Sequence, residues 1–174
     1  MHVAVLTAND APRYRALMLH AYDAAADAFT STAEERATES ESWWIKRVAD
    51  PDGLSLAFGA FQGTDLVGTV TLEFAAKPKT KHKAHLIGMF VAEAARGTGA
   101  SKALLQAALS AARIRPGILV VTLTVTEGNL PATRLYESVG FKTFGVEPIA
   151  IATPGGFKSK VHMWLPLQPA HRAA

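Results

Sequence analysis

The sequence contains no cysteine among its 174 residues. Disulfide bonds, thiolate nucleophiles and zinc or iron–sulfur sites held by cysteine are therefore excluded together. Charged residues make up only 19% of the chain against 49% hydrophobic ones, which excludes a disordered, charge-dominated protein. A chain of this length has the size of one domain and buries about 70% of its unfolded surface without cross-links. We therefore expect one folded domain over residues 1–174.

A large excess of one charge is also absent. The formal net charge of +3 is mild for a protein that binds nucleic acid through a basic face, so no nucleic-acid partner is expected. No apolar run approaches the ~18 residues of a membrane-spanning helix. The first residues lack the basic and apolar segments of a secretory signal. We expect a cytoplasmic protein with no membrane partner.

Hydrophobic periodicity predicts an alternation of strands and helices. Strands are expected at 2–6, 54–61, 66–74, 84–91, 118–126, 142–153 and 157–167. Helices are expected from just after Asp10 to about Ala25, over 33–49 with a break near Glu39, from the end of the turn at 95–99 to about Arg113, and over 130–139. This order predicts an α/β fold whose mixed, mostly antiparallel central sheet has helices on both faces. The strand at 84–91, its helix and the strand at 118–126 are expected to form a parallel β-α-β crossover.

Side chains at the predicted helix starts are typical N-caps. Asp10 is expected to cap the first helix. Thr32 and Thr38 are each followed by glutamate three residues later, which is the pattern of a capping box. The sequence therefore predicts helix starts after each of these residues.

The most informative segment is a turn that joins the strand at 84–91 to a helix. It reads Arg96, Gly97, Thr98, Gly99, Ala100, Ser101. Free backbone N–H groups and the positive end of the helix dipole meet at such a turn, which favours a phosphate or pyrophosphate group. Gly97 and Gly99 let the backbone approach the ligand without an intervening Cβ, and Arg96 adds a cation.

Two other phosphate-binding loops fail a direct test. A Walker A loop requires a glycine immediately before Lys102, and the sequence has Ser101 there. A dinucleotide fingerprint requires a third glycine in place of Lys102 and an acidic residue further on, where Leu119 and apolar neighbours lie. Taken alone, the segment could still be an ordinary glycine-rich turn.

A second segment runs from Asn129 to Phe141 and reads Asn-Leu-Pro-Ala-Thr-Arg-Leu-Tyr-Glu-Ser-Val-Gly-Phe. Together with the turn at 96–101, in this order and on matching elements, it resembles the GCN5-related N-acetyltransferase (GNAT) superfamily. The turn looks like that family's acetyl-CoA pyrophosphate loop. The second segment looks like its Asn-x-x-Ala-x-x-Leu-Tyr-x-x-x-Gly-Phe pattern. One departure is Ser101, where the family usually has glycine or alanine, but a small residue should be tolerated at a helix start.

The resemblance implies a single-domain GNAT-like fold and an activity. The implied reaction transfers an acetyl group from acetyl-CoA, as cosubstrate, to a primary amine, most simply that of a small molecule. The family's cofactor contacts fall on Met89, Phe90 and Val91 for the pantetheine arm and on the turn at 96–101 for the pyrophosphate. Asn129 is expected to cap its helix and to contact the cofactor as well. No metal is expected to take part.

The resemblance also names candidates for proton transfer. Tyr136 is the expected general acid for the departing thiolate, although its place on an apolar helix stripe also fits a core aromatic. The general base stays open between His85, whose imidazole titrates in a useful range, Glu73 on the neighbouring strand, and ordered water. Gly88, in the middle of a strand, indicates a β-bulge or a close backbone approach, or else a packing glycine.

Two other functions stay open at this point. The acceptor could be a protein N-terminus or a lysine, and a noncatalytic acyl-CoA-binding sensor would keep the phosphate turn without turnover. A homodimer is the default expectation for a small enzyme.

Overall fold

The computed structural model describes residues 1–167, in which a seven-stranded sheet carries helices on both faces. The strands are β1 (His2–Val5), β2 (Ser55–Gln62), β3 (Asp65–Phe74), β4 (Lys83–Val91), β5 (Val120–Thr126), β6 (Lys142–Thr153) and β7 (Gly156–Pro166). The helices are α1 (Ala11–Ala24), α2 (Ala33–Ala37), α3 (Glu41–Val48), α4 (Ala100–Ile114) and α5 (Leu130–Ser138). Within this part of the chain, no helix is both long enough and apolar enough to cross a bilayer.

The strand order is β1-β2-β3-β4-β5-β7-β6. All neighbouring strands are antiparallel except β4 and β5, which are parallel and joined through α4. The predicted α/β class, the mostly antiparallel sheet and the single parallel crossover are therefore confirmed.

Each face of the sheet packs against its own set of helices. Successive side chains of a strand point to opposite faces, and the neighbours Ala57 and Phe58 on β2 accordingly belong to different core clusters. One cluster contains the apolar stripe of α4, including Leu105 and Leu109. The other contains Tyr14 of α1 and Trp44 of α3, with α1 and α3 in contact. The two clusters fix the helices from both sides.

The start of α1 differs from the prediction for Asp10. Its carboxylate makes no cap contact with α1 but accepts hydrogen bonds from the Thr7 backbone N–H at 2.8 Å and from the Thr7 hydroxyl at 2.9 Å. A 3-10 turn at 8–10 precedes α1 and runs directly into it. The free N–H groups that need a cap therefore lie earlier in the chain, and the predicted cap was wrong by one turn.

One of the two predicted capping residues is confirmed. The Thr32 hydroxyl accepts from the Glu35 N–H at 3.1 Å at the start of α2. Thr38 instead ends α2, where its hydroxyl donates to the Glu35 carbonyl at 2.8 Å, and Ser40 caps α3. The predicted cap at Thr38 was wrong because an N-cap needs extended backbone, which occurs at Ser40 with ψ of 160°, whereas ψ of Thr38 is −9°.

Gly88 forms a β-bulge in β4. The two β3 residues that flank Val70 pair with Ile87 and Phe90, so two steps along β3 span three steps along β4. The φ angle of Gly88 is +63°, and an added Cβ would meet no atom closer than 4.0 Å. Backbone conformation, and not crowding, therefore requires glycine here. Of the alternatives left open for this position, the structure shows the bulge.

The parallel pairing of β4 with β5 is short. It consists of Lys83 with Val120, Ala84 with Val121 and His85 with Thr122. Beyond these pairs β5 continues its pairing with β7 as far as Thr126, whereas β4 and β5 no longer pair. A gap therefore opens between two strands of one sheet.

Burial on α4 generates a stability prediction. Leu105 is 0% exposed, so Leu105→Ala should lower the free energy of unfolding by about 2–5 kcal/mol, because apolar contacts are lost and a cavity is left. Leu119 is 52% exposed, and the same truncation there should cost about 0.5 kcal/mol or less. Urea unfolding measures both variants. Equal losses would contradict the packing of α4 described here.

Candidate functional site

A cavity of about 970 Å³ opens where β4 and β5 separate. Its floor is formed by both strands, namely residues 85–91 of β4 and 124–126 of β5. The rest of the wall comes from five other places. They are the segment before α4 with its first turn, one side of α5 with the residue before it, the end of α1 with the residues after it, β6 and β7. Segments that are distant in sequence thus meet around one space.

The turn before α4 borders this cavity with an uncovered backbone. Gly97 and Gly99 have φ of +76° and +86°, and Gly99 is the N-cap of α4. An added Cβ at either glycine would meet no atom within 4 Å, so the space over the turn is open. The first N–H groups of a helix lack partners within the helix, and they suit a phosphate group. The residues present therefore fit the predicted pyrophosphate loop.

Arg96 lies in the cavity wall, and two contacts hold its guanidinium there. Its Nε donates to the Val91 carbonyl at 3.2 Å, and its Nη2 donates to the Glu93 carboxylate at 3.2 Å. A hydrogen bond from His20 lowers the pKa of Glu93, so this carboxylate stays charged beside Arg96. The cation is thereby fixed beside the glycine turn.

The remaining residues of the predicted cofactor site divide into two groups. Met89, Phe90, Val91 and Ser101 line the cavity. The Thr98 hydroxyl donates to the Ala95 carbonyl at 2.7 Å, and Ala100 is buried in the core cluster of α4. The side chains of Thr98 and Ala100 thus make contacts within the protein, and these two residues can bind a ligand through their backbone N–H groups.

Tyr136 of α5 is both a core residue and part of the cavity wall. It is 6% exposed, and its ring packs edge-on against Phe141 with the centroids 5.9 Å apart. Burial raises the pKa of Tyr136 to about 12. The phenol is therefore protonated at neutral pH and presents a hydrogen-bond donor.

Asn129 caps α5, as predicted. Its Oδ1 accepts from the Ala132 N–H at 3.3 Å, and the residue also lines the cavity. The cap therefore holds the start of α5, and with it Tyr136, against the gap between the strands.

Of the two side chains considered as general base, the structure brings His85 to the cavity. Its Nδ1 lies 2.8 Å from the Thr122 hydroxyl, and burial lowers the pKa of the imidazole. Glu73 pairs with His85 across β3 and β4, but its carboxylate accepts a hydrogen bond from Arg47 at 3.0 Å. Glu73 is not among the residues of the cavity wall.

The cavity wall also contains residues that the sequence analysis missed. They are Phe29 after α1, Thr124 and Thr126 of β5, Glu147 of β6 and Lys160 of β7. Alternation along β7 could have placed Lys160 on one face with Lys158 and His162. The same wall includes Ala28 from the 3-10 turn at 26–28, which is held to β5 where the Thr126 hydroxyl donates to the Asp27 carbonyl at 2.6 Å. No local spacing rule predicts a contact over such a sequence distance.

Metal-ligating residues do not converge in this region. Within residues 1–167, no group of three or more histidine, aspartate or glutamate side chains has the geometry to hold a metal ion.

Comparison with known proteins places these features in a family. The model of the Acetyltransferase (GNAT) family matches residues 18–141. The chain is 27% identical over 106 residues to the L-amino acid N-acetyltransferase AaaT of Escherichia coli (strain K12). That match covers 61% of this chain and 64% of the relative's length.

Two solved structures share the fold over nearly the whole chain. The ribosomal-protein-alanine N-acetyltransferase of Brucella melitensis matches with a TM-score of 0.79 at 23% identity, covering 96% of this chain and 100% of that one. The yncA protein of Salmonella typhimurium, solved with its cofactor acetyl-CoA, matches with a TM-score of 0.80 at 20% identity, covering 100% and 97%. Because the family model spans both predicted motifs, this chain belongs to the GNAT family of acetyltransferases.

Proposed function

We propose that this protein is an acetyl-CoA-dependent N-acetyltransferase whose acceptor is the primary amine of a small molecule. The observation that carries the proposal is one cavity that is bordered by the uncovered turn before α4, by Tyr136 and by His85. The relative named for acetylation of L-amino acids and the similar structure that holds acetyl-CoA support the acceptor and donor classes.

The donor side of the site is built from backbone. Acetyl-CoA supplies the acetyl group as an activated thioester. The N–H groups at Gly97 and Ser101, together with the Arg96 guanidinium, hold its diphosphate. In the described part of the chain, the edge of β4 from Ile87 to Phe90 has no strand partner on the β5 side, so its backbone groups bind and orient the pantetheine arm.

His85 is the proposed general base, which removes a proton from the substrate amine. The Thr122 hydroxyl lies 2.8 Å from His85 Nδ1. We propose the tautomer in which the Nδ1–H of His85 donates to this hydroxyl oxygen. The proton of the neutral ring is then on Nδ1, and Nε2 is free to accept a proton. The lowered pKa keeps the ring neutral near pH 7.

Tyr136 acts on the departing sulfur as a hydrogen-bond donor. The pKa of about 12 for its phenol lies above the ~8.5 of a model thiol, so the phenol gives up its proton less readily than the thiol does. Complete proton transfer is therefore unfavourable, whereas a hydrogen bond strengthens as negative charge develops on sulfur. The family resemblance implies that Tyr136 is a general acid; we propose instead that it donates a hydrogen bond to the sulfur without transferring its proton completely.

The glycine turn gives a prediction for ligand affinity. Gly97→Val places a side chain in the open space over the turn and should weaken CoA binding at least about tenfold, or 1.4 kcal/mol, in titration calorimetry. Gly117→Val is the matched control, because φ is +83° there, its surroundings are equally open, and it lies after α4. Both variants carry similar backbone strain, but only the first should lose affinity. Unchanged binding by folded Gly97→Val would rule out this diphosphate site.

The role of His85 predicts a pH profile. Only the neutral imidazole accepts a proton, so kcat/KM should fall as pH drops through the pKa of His85, and this limb should be centred below 6.5 because burial lowers that pKa. His85→Gln should abolish the limb, whereas His82→Gln, outside the cavity wall, should retain it. If kcat/KM of His85→Gln still falls at low pH as in the wild type, the base is water or the fall reflects protonation of the amine substrate itself.

Tyr136 separates an enzyme from an acyl-CoA sensor. Tyr136→Phe should lower kcat and kcat/KM by about 100-fold while CoA affinity stays within about threefold, since the lost hydrogen bond acts mainly in the transition state. The ring remains, so packing against Phe141 is preserved.

The matched control for this variant is Tyr22→Phe, which removes another buried phenol of raised pKa that is outside the cavity wall. If Tyr136→Phe turns over as fast as the wild type, the Tyr136 hydroxyl has no role in catalysis and the residue serves only in core packing. A wild-type protein that binds CoA tightly and acetylates no amine would be a sensor.

A further inference from the structure

Lys160 is a lysine in the cavity wall whose side chain is mostly buried. The residue is only 8% exposed, although lysine is rarely buried without a charged partner. Among residues 1–167, no carboxylate forms a salt bridge with its ammonium group and no acceptor forms a hydrogen bond with it. Burial lowers the pKa of Lys160 while the nearby Glu147 carboxylate raises it, and an anionic ligand in the cavity would further stabilise the charged form of the ammonium.

The charged groups around Lys160 already have partners. Glu147 faces it across β6 and β7, but the Glu147 carboxylate lies 2.9 Å from His162 Nε2, and its side chain is 55% exposed. Lys158, two residues before Lys160 on the same strand, pairs with Asp27. Within residues 1–167, the ammonium of Lys160 is therefore the cation on this side of the cavity that has no ion-pair partner.

The sheet register places Lys160 opposite the donor strand. His85 pairs with Thr122, and the bulge at Gly88 adds one residue to β4, so continuing the register of these parallel strands puts Phe90 level with Thr126. Lys160 pairs with Thr126 on the other side. Adjacent strands are ~4.8 Å apart, which puts the Lys160 backbone about 10 Å from that of Phe90, or further where β4 and β5 diverge. An amine beside β4 and an anionic group a few bonds away can both fit in this space.

The wall that faces the sheet is apolar. Ala25, Ala28 and Phe29, at the end of α1 and after it, border the same cavity. An acceptor that is held here by its amine and by an anionic group would therefore place an apolar side chain against these residues.

We propose that Lys160 binds the carboxylate of the acceptor, and that the acceptor is accordingly an amino acid with an apolar side chain. Lysine ammonium groups form strong charge-assisted hydrogen bonds with carboxylates, and the buried setting strengthens them. This inference rests on the proposed function, because it assigns the acceptor end of the same site.

The test compares acceptors that differ only in the carboxylate. The pairs are phenylalanine with phenethylamine and leucine with 3-methylbutylamine, at saturating acetyl-CoA. The measured quantity is the ratio of kcat/KM within a pair, compared between wild type and variant, so that the intrinsic reactivity of each amine cancels. Lys160→Met should lower this ratio at least about tenfold, chiefly through a higher KM for the amino acid.

Two further variants control the result. Lys160→Arg keeps the cation and should retain most of the preference. Lys158→Met removes a lysine on the same strand that is outside this cavity wall, and it should keep the wild-type ratio. Circular dichroism checks folding, and Lys160→Gln takes the place of the methionine variant if that variant does not fold.

The outcomes separate the inference from the proposed function. Equal losses for both members of each pair in Lys160→Met, or the same ratio change in Lys158→Met, would overturn the carboxylate site while leaving acetyl transfer intact. A wild-type protein that acetylates none of the four acceptors, nor any other amine, would overturn both. A ratio that falls in Lys160→Met and recovers in Lys160→Arg would establish the site.

Discussion

The pairing of β4 with β5 ends at His85 and Thr122, and the candidate site depends on that interruption. The bulge at Gly88 bends β4, while β5 stays paired with β7. Backbone groups on β4 that a continuous sheet would use for its own hydrogen bonds are thereby left for a ligand. The same separation produces a cavity whose walls carry side chains from both halves of the chain.

The core fixes the geometry around this gap. Leu105 and Leu109 hold α4 against one face of the sheet, so the N-terminus of α4 stays at one end of the cavity. Tyr136 packs in the same cluster and also borders the cavity. Burial thus positions the phenol and raises its pKa at once, which is why its proposed role is a hydrogen bond to sulfur and not a full proton transfer.

Much of the fold could be predicted because its signals are local. Alternation along 120–126 predicted β5, and the turn at 96–101 predicted a helix start open to a phosphate. The caps at Asp10 and Thr38 were wrong because the exact residue where a helix begins depends on the preceding turn. Lys160 was missed because it reaches the cavity wall together with segments that are distant in sequence, such as the 3-10 turn at 26–28.

Amide hydrogen exchange with and without acetyl-CoA tests the central claim most directly, because it reports on the backbone of the gap itself. The account predicts slower exchange at residues 86–91 and 97–102 when acetyl-CoA is bound. Residues 55–62 of β2, which lie outside the cavity wall, should exchange at the same rate in both states. Unchanged exchange at 86–91 under saturating acetyl-CoA, with protection elsewhere, would contradict the assignment of the gap between β4 and β5 as the donor site.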